Sequence, residues 1–335
     1  MPVDCPCIRP SRFIRPDSGT GSRDSFHCGD SQRRIGCNAA IKACDLARHG
    51  FDGLDVDRLS AANRAGLPLL TARLPMTVPG PPCRLSSAGC SNDLPMAGTL
   101  PPMNRLPSCC SSLQHHWPLP RPLSGAVLVS CAFDPARLAV DDFQRACIEQ
   151  TPSLQRSVAK RQAEYLAGRV CARAALKRLD GREHVPATHE DRSPIWASGV
   201  HGAITHGQGW AAAVVVAHSD CGGVGLDVES LLSDERAERL AGEILTPAEL
   251  QRLDRSQLGL TVTLTFSLKE SLFKTLYPLT GTRFWFEDAE VLDWSADGDA
   301  RLRLLTDLSP TWRAGQEIQG QFQVERGQLL SLVSV

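Results

Sequence analysis

Leucines stand at every fourth position of one stretch, Leu264, Leu268, Leu272 and Leu276, and no other pattern constrains the fold as strongly. At about 100° per residue the spacing is one stripe of an α-helix, predicted over about 261–277. On the same helix Ser267, Glu270 and Lys274 fall within roughly 60° of one another, on the side away from the leucines. The helix thus separates a packing face from a polar face. Glu270 and Lys274 are either an ordinary i,i+4 ion pair or a carboxylate and an ammonium turned toward a ligand.

Upstream, Gly225-Leu226-Asp227-Val228-Glu229 reads as a strand. Strand side chains alternate, so Leu226 and Val228 point one way while Asp227 and Glu229 share the other face, roughly 7 Å apart. Paired carboxylates of this kind suit a hard divalent cation that takes oxygen ligands. Glu270 is a third carboxylate and Lys274 an ammonium for the same centre.

From residue 113 onward the pattern is α+β. A β-rich run covers 125–133, and a short helix is expected near 135–148. Thr151-Pro152 offers an N-cap and a proline at the first helical position of a helix over about 153–179, closed by Asp180-Gly181. That helix is conspicuously cationic. Most of its charges read as a solvated face, but Arg161 and Arg169, with the small Ala167-Gly168 between them, are the candidates for an anionic ligand. A turn-rich connection follows, with Arg192-Ser193-Pro194-Ile195-Trp196. It leads to strands at 202–207 and 210–216, with Thr205-His206 at a strand-to-turn junction next to Gly207. A helix is predicted over 233–244. Thr246-Pro247-Ala248-Glu249 is a capping box for another, and strands are predicted over 282–294, 300–306, 317–324 and 329–335.

Bulk properties exclude some functions. A net charge of −1 over 335 residues carries no polyanion signal, so nucleic acid is not an expected partner. No apolar run approaches the ~18–20 residues of a membrane span. Of the 13 cysteines, nine lie in the first 110 residues, and no CxxC pair occurs. Reduced thiols in a cytoplasmic chain are the expectation. Residues 1–112 are rich in Pro, Ser, Arg and Gly without a persistent period, which predicts a disordered or spurious N-terminal extension with Met103 as an alternative start.

Four motifs in order then resemble one family. Arg161-x-x-Glu164-Tyr165-Leu166-Ala167-Gly168-Arg169, Arg192-x-Pro194-x-Trp196, Ile204-Thr205-His206, and Gly225-x-Asp227-x-Glu229 followed by Phe266-Ser267-x-Lys269-Glu270-Ser271-x-Phe273-Lys274 look like the 4′-phosphopantetheinyl transferases, in the subgroup typified by enterobactin synthetase component D. Ala203 and Ala197 depart from the subgroup's usual Ser and Pro, which touches local CoA contacts rather than the metal chemistry. The resemblance covers about 113–335.

It implies an α+β fold of two similar halves related by a pseudo-twofold, at 113–225 and 226–335, with coenzyme A (CoA) between them. It implies transfer of the 4′-phosphopantetheine arm of CoA to a serine of acyl carrier proteins or peptidyl and aryl carrier domains, releasing adenosine 3′,5′-bisphosphate. Fatty-acid, polyketide and siderophore synthesis (the enterobactin synthase complex among them) use such carriers. By the same resemblance Asp227, Glu229 and Glu270 are Mg2+ ligands, and Lys274 contacts the CoA phosphates. Arg161, Arg169, Arg192, Pro194, Thr205 and His206 surround the adenosine end. Asp227, Glu270 and Lys274 are the catalytic set, with Glu270 the preferred base. A cytoplasmic monomer is expected, with the cationic segment 236–255 as a docking face for an acidic carrier. The alternatives are a catalytically silent CoA- or carrier-binding homologue and a Mg2+-dependent nucleotide phosphohydrolase.

Overall fold

Strand alternation sets the layers of this protein. The computed structural model describes residues 106–335, so the predicted extension lies outside the described residues up to residue 105. Its last residues do not. Cys109 is buried, the Ser108 amide donates to Asp142 Oδ1 at 2.7 Å, and Cys110 and Gln114 bridge to the strand region beyond. The boundary expected at 113 therefore falls inside packed structure.

The first half contains β1 (Val127–Ala132), the short helices α1 (Asp142–Arg145) and α2 (Pro152–Gln155), and the long α3 (Ala159–Asp180). Then come β2 (Ala187–Thr188), β3 (Pro194–Ile195), β4 (Val200–Gly207) and β5 (Trp210–Ala217). Thr151 caps α2 as its sequence predicts, its hydroxyl accepting from the Leu154 amide at 3.3 Å. The single helix expected over 153–179 is nevertheless two. Val158 takes extended backbone, and the Gln162 side chain satisfies the Ser157 carbonyl at 2.8 Å where the helix is interrupted.

The second half contains β6 (Val224–Ser230), α4 (Asp234–Ile244), α5 (Pro247–Gln251), α6 (Leu258–Thr280), β7 (Ala289–Trp294), β8 (Asp299–Leu304), β9 (Glu317–Glu325) and β10 (Gln328–Ser334). β6 begins at Val224, so a division at 225/226 would cut a strand. The strand expected from 282 begins only at 289. The residues before it run through a single 3-10 turn, Phe286–Asp288, and bury Phe284 and Phe286.

Antiparallel sheets β1-β5-β4 and β6-β10-β9-β8-β7 stack between the two long helices. Ala211, Ala213 and Val215 of β5 pack toward α3. The alternate residues Ala212, Val214 and Val216 meet Leu226, Val228, Leu330 and Leu332 of the second sheet. The other face of that sheet, with Leu329 and Val333, receives the leucine stripe of α6. The order is helix, sheet, sheet, helix, with apolar burial as the driving force at each contact.

α6 is buried almost all round. Leu258, Val262 and Phe266 pack against α4, a third surface that the leucine stripe does not reveal. Its polar face is not solvated either, since Ser267, Glu270 and Ser271 are buried. Among the described residues no helix is long and apolar enough to cross a membrane.

Candidate active site

Two glycines bring the site together. Gly225 lies where β6 passes under α6, and an added Cβ there would collide with the Ser271 carbonyl oxygen and the Thr275 hydroxyl. Gly168 does the same for α3 on β4, where a Cβ would stand 2.7 Å from Ile204 Cγ2. Each long helix can therefore press its polar residues onto an edge strand.

Those edge strands, β4 and β6, meet where the two sheets abut. The Val228 amide, turned away from its ladder with β10, donates instead to Thr205 Oγ1 at 3.0 Å. Thr205 is buried, and its hydroxyl also reaches Asp227 Oδ1 at 3.5 Å.

Asp227 is the hub. Lys274 Nζ donates to its Oδ1 at 2.6 Å and to the Leu226 carbonyl at 3.1 Å. Ser267 Oγ donates to Oδ2 at 2.9 Å. Behind it Ser267, Ser271 and Ser331 form a buried hydroxyl relay at 2.8 Å spacings, with Ser331 directly across the ladder from Asp227. These bonds fix the carboxylate's orientation.

Glu270, one turn before Lys274, is only 8 % exposed and has no hydrogen-bond or ion-pair partner among the described residues. Burial and then the Asp227 charge push its pKa up to about 7, with Lys274 opposing. Burial alone would lower the Lys274 pKa, but Asp227 and Glu270 hold it above its ordinary value.

These carboxylates fit a hard cation. A buried carboxylate without a partner, next to a second one, is the electrostatic deficit that Mg2+ relieves, and Mg2+ often takes one or two carboxylates together with phosphate oxygens and water. Asp227 and Glu270 would supply the two carboxylates. Glu229 follows on the same strand face and lines the same cleft, but no three metal-ligating side chains converge on one point among the described residues.

The cleft between the halves measures about 1370 Å³. Asp227, Glu229, Glu270 and Lys274 line it, together with Arg161, Arg192, Pro194, Thr205 and His206. Arg161 donates to His206 Nε2 at 3.0 Å, and the ring's Nδ1 lies 3.9 Å from Glu164. The acceptor role of Nε2 makes this a neutral imidazole with its proton on Nδ1. Burial, with Arg161 and Lys274 nearby, holds the His206 pKa well below 6.5.

Arg169 is not at the cleft. It is buried against Tyr165, its guanidinium carbon 4.8 Å from the ring centre, and donates to Thr188 Oγ1 at 2.8 Å. It pins β2 to α3. Arg239 pairs with Glu235, Arg255 with Glu238, and Arg252 with Glu290, so these cations are neutralised within the chain. Lys269, inside the same motif as Glu270, is buried with Glu249 at 2.7 Å and with the Ile244 and Phe286 carbonyls. Its partners make it a structural pin.

Sequence reasoning missed Tyr277, which lines the cleft and donates to Asp191 Oδ2 at 2.6 Å. Tyr277 stands seven residues beyond Glu270, on the same side of α6, so helical spacing was the available signal.

Two family models match the described part of the chain. The family model described as the 4′-phosphopantetheinyl transferase N-terminal domain matches residues 149–216, and that of the 4′-phosphopantetheinyl transferase superfamily matches 223–327. Enterobactin synthase component D of Escherichia coli K12 is 36% identical over 176 residues, covering 52% of this chain and 81% of the relative. The 4′-phosphopantetheinyl transferase PptT of Mycobacterium tuberculosis is 30% identical over 194 residues, 55% of this chain and 84% of its own length. The 4′-phosphopantetheinyl transferase Svp of Streptomyces mobaraensis is 36% identical over 161 residues, 45% of this chain and 61% of its own.

Proposed function

The chain belongs to the 4′-phosphopantetheinyl transferase superfamily and transfers phosphopantetheine from CoA to carrier proteins, and we propose that Asp227, Glu270 and Lys274 carry that transfer. The observation behind this reading is Lys274 clamped on Asp227 beside the partnerless carboxylate of Glu270.

The carrier serine attacks the β-phosphorus of CoA. A phosphodiester to serine forms, the bond to adenosine 3′,5′-bisphosphate breaks, and the serine proton needs an acceptor. Glu270 takes it, as a carboxylate lining the cleft with no hydrogen-bond partner of its own among the described residues. Lys274 places its ammonium on the phosphate oxygens where charge develops, a preorganised donor in a largely buried setting. Asp227 holds that ammonium in place, and Ser267 holds Asp227.

Asp227 and Glu270, with Glu229 beside them, are the residues that would hold Mg2+, which supplies positive charge to the pyrophosphate. Arg161, Arg192, Pro194 and His206 receive the adenosine end, where cations and neutral donors match its phosphates, while Thr205 ties β4 to Asp227 and Val228 of β6. Arg169 acts indirectly, by holding β2. Similarity to enterobactin synthase component D favours siderophore-type peptidyl and aryl carrier domains as acceptors.

Mass spectrometry of an apo-carrier protein incubated with CoA, Mg2+ and this protein tests the reading. One phosphopantetheine should be gained, and the gain should vanish with Asp227→Ala or Glu270→Ala. No gain on any carrier overturns it, and CoA cleavage without a carrier would instead identify a phosphohydrolase.

A further inference from the structure

The hairpin β2-β3 contributes one wall of the cleft with very little structure of its own. Each strand has two residues, joined by the turn 189–193. The His189 amide donates to the Ser193 carbonyl and the Arg192 amide to the His189 carbonyl, both at 2.9 Å. Arg192 sits at φ 74°, a left-handed conformation that a side chain of this size rarely takes without external restraint. Its side chain lines the cleft and has no partner among the described residues. A two-stranded hairpin this short is not stable alone.

Its restraint comes from both halves. On the near side, Arg169 and Tyr165 of α3 bond Thr188. On the far side, Tyr277 of α6 donates to Asp191 Oδ2 at 2.6 Å. The other oxygen of Asp191 is taken by the Ser193 amide and hydroxyl, at 3.0 and 2.6 Å, so the carboxylate is aimed at the tyrosine by the turn itself. Tyr277 is equally fixed. Its ring stacks on Phe273 at 5.0 Å, and the Arg283 guanidinium carbon lies 5.8 Å from its centre. Asp191, Arg192, Phe273, Tyr277 and Arg283 all line the one cleft.

We propose that the Tyr277–Asp191 hydrogen bond is a latch across the cleft that holds Arg192 in place for CoA, making Asp191 and Tyr277 positioning residues for CoA affinity. The inference rests on the CoA reading of the cleft. A charge-assisted bond between the halves removes the freedom that the loop would otherwise lose when the ligand arrives, which raises affinity without adding a ligand contact. The bonds from Ser193 and Tyr277 lower the Asp191 pKa to about 2, so the carboxylate is charged at neutral pH.

The test uses the full chain with Tyr277→Phe, Asp191→Ala, Asp191→Asn and the Tyr277→Phe/Asp191→Ala double variant. CoA Kd is read by calorimetry, and transfer to a fixed apo-carrier by mass spectrometry. Each of the first two should raise Kd and KM for CoA about three- to tenfold, less than the full worth of a charge-assisted bond because the latch pre-orders the loop without touching the ligand, leaving kcat and KM for the carrier within about twofold. The double variant should be no worse than the weaker single, because both remove the same bond. Asp191→Asn keeps an acceptor and should recover part of the affinity. Unchanged CoA binding in Tyr277→Phe overturns the latch, as do multiplicative effects in the double variant or a fall in kcat. A wild-type protein that binds CoA but transfers nothing would overturn the transferase mechanism, while the calorimetry still decides on the latch.

Discussion

Lys274 Nζ lies 2.6 Å from Asp227 Oδ1, closing a contact between residues 47 positions apart and setting the electrostatics of the cleft. The pair sits at the junction of α6 and β6, where Gly225 permits close approach. Without the ammonium, two buried carboxylates would face each other uncompensated.

Lys274→Ala should therefore lower kcat/KM for transfer by about 10²–10³, the usual loss for one preorganised donor at a developing charge. Lys274→Arg should retain part of the activity, since charge persists but the compact ammonium does not. Steady-state kinetics against a carrier protein checks this. A loss below about tenfold would show that Lys274 is only structural.

Gly225→Ala should act at a distance from any ligand. The new methyl would meet the Ser271 carbonyl, force α6 away from β6, and separate Glu270 and Lys274 from Asp227. A stability loss of about 1–3 kcal/mol is expected from such overpacking, together with a fall in kcat/KM. Urea unfolding and the transfer assay measure both. Wild-type values in each would refute the close-packing account.

Lys269→Met should destabilise the fold by about 3–5 kcal/mol, because it leaves Glu249 buried without its cation. Glu249 also accepts from the Thr246 and Val291 amides, so α5, α6 and β7 loosen together. The readout is the urea midpoint. An unchanged midpoint would mean that the pair contributes nothing.

His206 predicts a pH effect on stability. Its folded pKa lies below 6.5, so the unfolded chain binds the proton more readily. Stability from the neutral imidazole is present above about pH 6.5 and is lost as pH falls below it. In His206→Gln that dependence is removed, so the wild-type curve should fall toward the variant's between pH 7 and 5. Parallel curves would show that His206 does not titrate differently on folding.

Much of the fold is legible in the residues themselves. The leucine stripe gives α6, Thr246 and Glu249 give the capping box of α5, and the alternation around Asp227 gives β6 and the face it shares with Glu229. The motifs also place Glu270 and Lys274 on one side of their helix. Arg161 and Arg169 show the limit of such reasoning. Eight helical residues turn the face by about 80°, so one meets His206 in the cleft while the other is buried behind β2.

The sequence by itself determined most of the elements, many of their polar and apolar faces, and the residue types that can hold a cation and bind phosphate. Only the tertiary structure decided what covers each face. The Ser267–Ser331 relay, the Lys269–Glu249 pin and the Tyr277–Asp191 latch join residues 64, 20 and 86 positions apart. Periodicity fixes the direction a side chain leaves its own helix or strand. The group it meets there depends on how layers stack, which is decided by burial summed over the whole core.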